Sequence, residues 1–289
     1  MKKVLLQLDT DEHPSPFDAI VAHDADVDVL LSHGSVKPDE TRALVQDAFF
    51  PRGPDDLKNT AVWVGGKDVA AGEQVFAQVQ KAFFGPFRVS VMLDSNGANT
   101  TAATTIARIA KARSLSGNRA VVLGLGAVGL RSATLLAREG CEVTVASLPA
   151  DLFGDERPYH RPRGLSVAEK LGLDIREPGD RSELEATLDG AQIVLAGGPA
   201  GVEVLRRDSW AAAESVELLA DYNAAEPLGI EGTKATDDLA DYDGKLVLGA
   251  LAIGGPKMKV HKACVRRLFE SNDQVLDTDA VYAVAKELV

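Results

Sequence analysis

One segment constrains the fold of this 289-residue chain more than any other. An apolar stretch, predicted as a strand over Ala120–Leu123, leads directly into the spacing G-x-G-x-x-G, and a helical pattern follows over Leu130–Arg138. In a strand–turn–helix unit of this kind, Gly124 permits the tight turn and Gly126 lets a pyrophosphate approach the backbone. Gly129 lets the helix pack closely on the strand. The segment therefore predicts a dinucleotide site that also includes the backbone of the two intervening residues, Ala127 and Val128.

Strand-like and helix-like stretches alternate on both sides of this motif, which predicts an α/β protein. Before it, four strands are predicted to form a small, mostly parallel sheet: Val4–Leu8, Val27–Leu31, Ala61–Val64 and Arg88–Leu93. From the motif onward, six strands match a doubly wound Rossmann fold: Ala120–Leu123, Glu142–Ala146, Leu173–Arg176, Gln192–Ala196, Val216–Ala220 and Leu246–Leu248. The last two helices, predicted over Lys257–Glu270 and Thr278–Leu288, return to the first domain. The predicted domains are residues 1–100 with 257–289, and residues 101–256.

Composition narrows the possible partners and location. The net charge is −12, which argues against contact with nucleic acid or an anionic membrane. No apolar run approaches the roughly 18 residues needed to span a bilayer. Cys141 and Cys264 are the two cysteines and lie far apart, which predicts neither a disulfide framework nor a metal site. These features predict a cytoplasmic protein that binds small molecules.

The end of the second Rossmann strand bears on cofactor choice. An acidic residue here binds the ribose hydroxyls of NAD, but this strand ends in Ala146 and Ser147. Ser147 could donate to a 2′-phosphate, and Arg157, Arg161 or Arg163 in the following segment could neutralise it. We therefore predict NADP as the cofactor, with NAD as the alternative. The segment from Leu148 to Gly164 is predicted to be a long loop.

Other segments resemble the bacterial NAD(P)-dependent methylene-tetrahydromethanopterin dehydrogenases over nearly the whole chain. The resemblance rests on these runs: LDTD at 8–11 with PSPFD at 14–18, GGKD at 65–68 with AAGE at 70–73, FFGPFRVS at 83–90, MLDSNG at 92–97 with NTTAA at 99–103, ADYNA at 220–224 with PLGI at 227–230, GALAIGG at 249–255, Lys257, Lys259 and His261, and LFES at 268–271.

The resemblance implies an oxidoreductase that transfers a hydride from methylene-tetrahydromethanopterin to NADP or NAD, giving the methenyl product, in formaldehyde oxidation. It implies a homo-oligomer, expected as a trimer, with the pterin held between the N-terminal domain and the Rossmann domain. It also implies pterin contacts at Phe17, Asp18, Lys257, His261 and Phe269.

Two further groups lie where predicted strands end, which is the ligand-binding edge of open parallel sheets. Asp94, Ser95, Asn96 and Asn99 follow the last strand of the first domain and are expected to be divided between helix capping and substrate contact. Gly197, Gly198, Asp221 and Asn223 follow the fourth and fifth Rossmann strands and are expected beside the nicotinamide.

A carbon held between two nitrogens can lose a hydride directly, because the nitrogen lone pairs delocalise the positive charge. We therefore expect Lys257 to orient the pterin without acid/base work. Three alternatives remain open: a dehydrogenase of methylene-tetrahydrofolate, a cyclohydrolase, which would need an acid/base group, and a non-catalytic dinucleotide sensor.

Overall fold

The structure is a computed structural model that describes residues 1–153 and 161–289. Its strands are β1 (Val4–Asp9), β2 (Val29–His33), β3 (Thr60–Gly65), β4 (Ser90–Leu93), β5 (Arg119–Leu123), β6 (Glu142–Ala146), β7 (Asp174–Arg176), β8 (Ile193–Ala196), β9 (Leu218–Asp221), β10 (Asp238–Tyr242), β11 (Lys245–Leu248) and β12 (Val275–Leu276). Its helices are α1 (Pro16–Asp24), α2 (Pro38–Phe49), α3 (Val69–Ala82), α4 (Ala98–Ala112), α5 (Ala127–Arg138), α6 (Arg161–Lys170), α7 (Arg181–Ala186), α8 (Arg207–Ala212), α9 (Ala250–Arg267) and α10 (Thr278–Leu288).

The chain divides into two compact units, one of residues 1–100 with 257–288 and one of residues 101–256. The first unit has a five-stranded sheet in the order β12-β4-β3-β1-β2, and every pairing in it is parallel. The strands β3 and β4 are buried along their whole length, as expected for a parallel sheet covered on both faces. The predicted small parallel sheet is confirmed. It also contains a fifth strand, β12, which was not predicted because two residues are too few to show a strand pattern.

The second unit has a seven-stranded sheet in the order β10-β11-β9-β8-β5-β6-β7. The six predicted strands occur in the doubly wound order, so the predicted fold class is confirmed. The predicted strand count is wrong by one, because β10 pairs antiparallel with β11 at the edge. Its sequence, DLADY, carries two acidic residues and its side chains are half-buried or exposed. An edge strand of this kind has no apolar run to mark it.

The helix predicted to begin at Lys257 begins seven residues earlier, at Ala250, and runs through Gly254, Gly255 and Pro256. A proline within a helix leaves the carbonyl four residues earlier without its partner. Here that carbonyl belongs to Ala252, and it accepts a hydrogen bond of 2.9 Å from Nη1 of Arg108. Because α4 supplies this donor, α9 continues through the proline.

The segment predicted as a long loop is more regular than expected. A 3-10 turn covers Ala150–Phe153, and α6 begins at Arg161. Arg157 lies outside the described residues, and so does the side chain of Arg161.

Candidate functional site

The glycine-rich loop joins β5 to α5 in the second unit, and its three glycines differ in what surrounds them. Gly124 has φ +112°, and a Cβ there would lie 2.6 Å from the carbonyl oxygen of Gly197. A Cβ at Gly129 would lie 2.7 Å from the carbonyl oxygen of Gly124. At Gly126, by contrast, the nearest atom that a Cβ would meet among the described residues is the oxygen of Gly197, at 3.7 Å. The fold itself therefore requires glycine at two of the positions but not at Gly126.

Gly126 is instead the N-cap residue of α5. Because glycine has no side chain, it makes no capping hydrogen bond to the first turn of this helix. The first N–H groups of a helix have no partner within it and favour an anion. A side chain at Gly126 would occupy the approach to these groups. The loop thus fits the pyrophosphate of a dinucleotide, and the absence of a Cβ keeps that approach open.

Ser147 lies directly after β6, at the position where NAD-binding proteins carry an acid. It is buried, and its Oγ has no hydrogen-bond partner among the described residues. The first turn of α6 packs against the glycine loop, since a Cβ at Gly164 would lie 2.5 Å from the carbonyl oxygen of Leu125. Arg163, in that same turn, is exposed. The neighbourhood of the loop therefore combines a hydroxyl without a partner and a basic helical turn, with no carboxylate at the end of β6.

In the first unit, Phe17 and Asp18 lie in the first turn of α1, close after β1. The Phe17 ring is 49% exposed, which is unusual for a large aromatic side chain. Nζ of Lys257 lies over this ring, 5.0 Å from its centroid. Gly97, with φ +60°, leaves room for the ammonium group, because a Cβ there would be 2.8 Å from Nζ. An open aromatic face and a cation thus lie side by side.

Asp18 lies among other carboxyl groups. Burial raises its pKa to about 7, and repulsion from Asp94 and Asp9 adds to this effect, while Lys257 and a hydrogen bond with Ser15 oppose it. Because the end of β3 carries Gly65, the carboxyl groups can approach each other: a Cβ there would lie 3.2 Å from Oδ2 of Asp18 and 3.6 Å from Oδ2 of Asp9. Asp18 is therefore an acid that titrates near neutral pH.

His261 lies one helical turn after Lys257 and is completely buried. Its ring packs edge-on against Trp63 at a centroid distance of 4.7 Å, and its Nε2 is 3.5 Å from Oδ2 of Asp94. Neither ring nitrogen has a hydrogen-bond partner among the described residues. Burial lowers the pKa of His261 to about 4, so the imidazole is neutral at pH 7.

The comparisons with known proteins identify the family. The family model for the N-terminal part of methylene-tetrahydromethanopterin dehydrogenase matches residues 16–96. The chain is 44% identical over 290 residues to bifunctional protein MdtA of Methylorubrum extorquens, covering 99% of each chain. It is 30% identical over 299 residues to the NAD(P)-dependent methylenetetrahydromethanopterin dehydrogenase of the same organism, again over 99% of each. The chain belongs to the methylene-tetrahydromethanopterin dehydrogenase family. The resemblance seen in the sequence is thereby confirmed, and the chain is an oxidoreductase.

Among solved structures, a shikimate 5-dehydrogenase from Listeria monocytogenes aligns over 98% of this chain and 96% of its own. The TM-score is 0.49 and the identity 11%. This likeness is too distant to say anything of function.

Several residues predicted as substrate contacts in this dehydrogenase are used inside the fold. Asp94 accepts hydrogen bonds from the backbone N–H and the hydroxyl of Thr100, at 3.0 and 2.7 Å. Ser95 donates to the carbonyl of Gly65, and Nδ2 of Asn99 donates to the carbonyl of Leu93. All three predicted residues are buried, so their visible role is to shape the strand ends and the start of α4.

The three remaining predicted contacts differ in exposure and in position. Asn96 is exposed with φ +55°. His261 is fully covered and presents no atom to a ligand. Phe269 lies beyond the end of α9, with its ring under Nζ of Lys3 at 5.7 Å. Because Lys3 precedes β1 whereas Phe17 follows it, Phe269 lies at the opposite edge of the sheet from the other predicted pterin contacts.

The residues predicted beside the nicotinamide also have internal roles. A Cβ at Gly198 would lie 2.4 Å from Cγ2 of Val204, so packing alone requires glycine there. Asp221 accepts from the backbone N–H groups of Asn223 and Ile230, and burial raises its pKa. Asn223 bonds to the backbone of Ala225 and Pro227. Both side chains thus build the loop after β9, while Gly197 lies directly against Gly124.

Sequence reasoning gave no chemical role to Asp9 and Gly97, which the structure places next to Asp18 and Lys257. A usable signal existed for Asp9, because it lies at the end of a buried strand, as Asp94 does.

Within residues 1–153 and 161–289, no helix is long and apolar enough to cross a membrane. The same residues contain no group of three side chains able to hold a metal ion.

Proposed function

We propose that this chain transfers a hydride from methylene-tetrahydromethanopterin to NADP, giving methenyl-tetrahydromethanopterin, with NAD as the less favoured cofactor. The observation that carries the proposal is the match over 99% of both chains with a dehydrogenase of that name. The open approach at Gly126 and the exposed Phe17 beside Lys257 support it, because they supply a site for each of the two ligands.

For the cofactor, we assign the pyrophosphate to the loop of Gly124, Gly126, Ala127, Val128 and Gly129. The hydroxyl of Ser147, which has no partner in the part of the chain that the structure describes, would donate to a 2′-phosphate. Arg161, in the adjoining helical turn, is assigned to neutralise that phosphate. Gly197 and Gly198, with the loop shaped by Asp221 and Asn223, are assigned to the nicotinamide side. When bound, the nicotinamide supplies the acceptor for the hydride.

For the pterin, the chain's own residues bind and orient. Phe17 offers a flat apolar face for a ring, and Lys257 would hold the polar edge of the pterin at the border of that face. Asp18, which follows Phe17 in the first turn of α1, is assigned as a hydrogen-bonding partner of the pterin, and Asn96 is assigned to the rim. The reaction moves no proton, so catalysis depends on positioning, which can be worth about 7–11 kcal/mol when two reactants are held well.

Methylene-tetrahydrofolate is a second candidate substrate, because it carries the same pterin ring. The name of the 44% identical relative, bifunctional protein, favours testing a second activity, although it does not say which activities are meant.

A cyclohydrolase is the third candidate, and one observation favours testing it. Hydrolysis of a methenyl bridge needs an acid/base group with a pKa near the working pH, and Asp18 has this property. A cyclohydrolase would consume the methenyl pterin without any nicotinamide present.

The test is a matrix of initial rates with each methylene pterin and each cofactor, following the absorbance of the reduced nicotinamide. We expect the highest kcat/KM with methylene-tetrahydromethanopterin and NADP. Gly126→Val should abolish the signal with every pair. Loss of methenyl absorbance without cofactor would establish a cyclohydrolase instead. Cofactor binding without turnover of either pterin would leave only a dinucleotide sensor.

The finer assignments belong to the same proposal: a cytoplasmic homo-oligomer, expected as a trimer, acting in formaldehyde oxidation on small molecules and not on nucleic acid. Light scattering on the purified protein should give a mass three times that of the 30.6-kDa chain.

A further inference from the structure

The proposed hydride transfer moves no proton, so it does not explain why three carboxyl groups lie close together around Asp18. The first unit brings three carboxyl groups to one edge of its sheet: Asp9 at the end of β1, Asp94 directly after β4 and Asp18 in α1. The carboxylates of Asp9 and Asp94 are both engaged in hydrogen bonds, to backbone N–H groups and, for Asp94, to a hydroxyl as well. Asp9 accepts from the N–H groups of Asp11 and Ser15, and Asp94 accepts from Thr100.

Asp18 is the member of the cluster beside the open aromatic face. Its neighbour Phe17 is half exposed, and Asp18 itself is only partly covered. The end of β3 contributes two glycines at 65 and 66, and the next residue, Lys67, is bound to Asp11 at 3.8 Å. Among the described residues, Lys257 is the cation that lowers the pKa of Asp18, and its effect is outweighed by burial and by the two neighbouring carboxylates.

The pterin can supply hydrogen-bond donors to the carboxylate of Asp18. A 2-amino-4-oxopteridine presents two adjacent N–H donors, the ring N3–H and the 2-amino group. A carboxylate accepts two parallel N–H bonds in the way it accepts those of arginine, and such charge-assisted pairs are among the strong ones. A protonated carboxyl would direct its own O–H at a donor and lose one of the two bonds.

We propose that Asp18, crowded by Asp9 and Asp94 at this sheet edge, binds the 2-amino-4-oxopyrimidine edge of the pterin as a carboxylate, so that substrate binding expels to solvent a proton held by the free carboxyl group. This inference rests on the proposed function, because it assigns the pterin to the Phe17–Asp18 face. It makes Asp18 a binding residue with no part in the hydride step, and the atoms balance: one O–H bond breaks, two N–H···O bonds form, and the proton goes to buffer.

The inference has quantitative consequences. With a pKa of about 7 in the free protein, Asp18 would release about 0.8 proton per site at pH 6.5 and about 0.1 at pH 8. Affinity should follow the same titration, because binding must first remove the proton. The apparent Kd should be about tenfold higher at pH 6 than at pH 8. Below pH 6 it should rise by about tenfold for each further unit.

The experiment is calorimetric titration of the full-length protein with tetrahydromethanopterin and, separately, tetrahydrofolate, without cofactor and under anaerobic conditions. Measuring each titration in phosphate and in imidazole buffer gives the number of protons released from the dependence of the enthalpy on buffer ionisation. Asp18→Asn should still fold, should bind more weakly, and should release close to no proton at either pH. Glu12→Gln, an exposed acid on the neighbouring loop, is the matched control and should release as many protons as the unaltered protein.

The outcomes separate the two proposals. Tight binding and turnover with no proton release at pH 6.5 would overturn the role of Asp18 and leave the dehydrogenase intact. Equal proton release in Asp18→Asn would do the same, because the proton would then come from another group. If neither pterin binds nor reacts, the proposed function falls and this inference falls with it.

Discussion

Gly126 offers a sharp separation between folding and cofactor binding, and Gly126→Val is the substitution that tests it. The backbone there has φ −74° and ψ 169°, an extended conformation that valine adopts readily. The nearest atom to a new Cβ would be 3.7 Å away. We therefore expect the free energy of unfolding to change by no more than about 0.5 kcal/mol, as for an ordinary surface substitution.

Cofactor binding should respond very differently. The side chain would occupy the space in front of the first turn of α5, where backbone N–H groups would meet the pyrophosphate. A hydrogen bond to a charged group is worth about 1.5–3 kcal/mol, so the loss of two amounts to about 3–6 kcal/mol. That corresponds to a Kd for NADP at least about 100-fold higher.

The assay is a fluorescence titration with NADPH on each variant, together with its melting temperature in the absence of ligand. Gly53→Val is the matched control, because Gly53 has nearly the same backbone angles, φ −68° and ψ 158°, and nothing within 4 Å of its Cβ position. It should change neither quantity. Gly129→Ala should instead lower the melting temperature, since its Cβ meets a backbone oxygen at 2.7 Å. A folded Gly126→Val protein that binds NADPH normally would refute the assignment of this loop.

The remaining predictions concern charge at the two sites. Ser147→Asp should lower the ratio of kcat/KM for NADP over NAD by at least about tenfold, because the new carboxylate repels a 2′-phosphate; an unaltered ratio would place cofactor recognition elsewhere. Lys257→Ala should raise KM for the pterin and lower kcat, measured by steady-state kinetics, without adding a titration to the chemical step. That step, isolated by single-turnover mixing at saturation, should stay flat from pH 6 to 8, because His261, with its pKa lowered to about 4, is already neutral there; a tenfold change per pH unit would require a proton transfer. Asp18→Asn should stabilise the protein increasingly as pH rises from 4 to 7, because the folded protein holds a proton that the unfolded chain has released. The gain should be at most about 4 kcal/mol by urea unfolding and level off above pH 7.

Local patterns were sufficient to predict much of this protein. The β5 strand, the glycine spacing and the start of α5 are contiguous, so the dinucleotide loop could be predicted without knowing what packs around it. Most of the parallel strands could also be predicted locally, because strands such as β3, β4, β8 and β9 are short, mostly apolar runs that are buried along their whole length. The family could be recognised because its motifs are spread along the whole chain.

Tertiary structure decided what depends on groups far apart in sequence. The sequence predicted a helix that begins at Lys257, but α9 begins at Ala250 and continues through Pro256, because Arg108 supplies a donor to the carbonyl that the proline frees. From the sequence alone, His261 would be given the ordinary pKa of a histidine, but its burial beside Trp63 lowers that pKa to about 4. Asp18 is the clearest case: nothing next to it in the chain marks it as an acid of neutral pKa. The pKa of Asp18 is raised first by its burial and then by repulsion from Asp94 and Asp9, which the parallel strands bring to the same sheet edge.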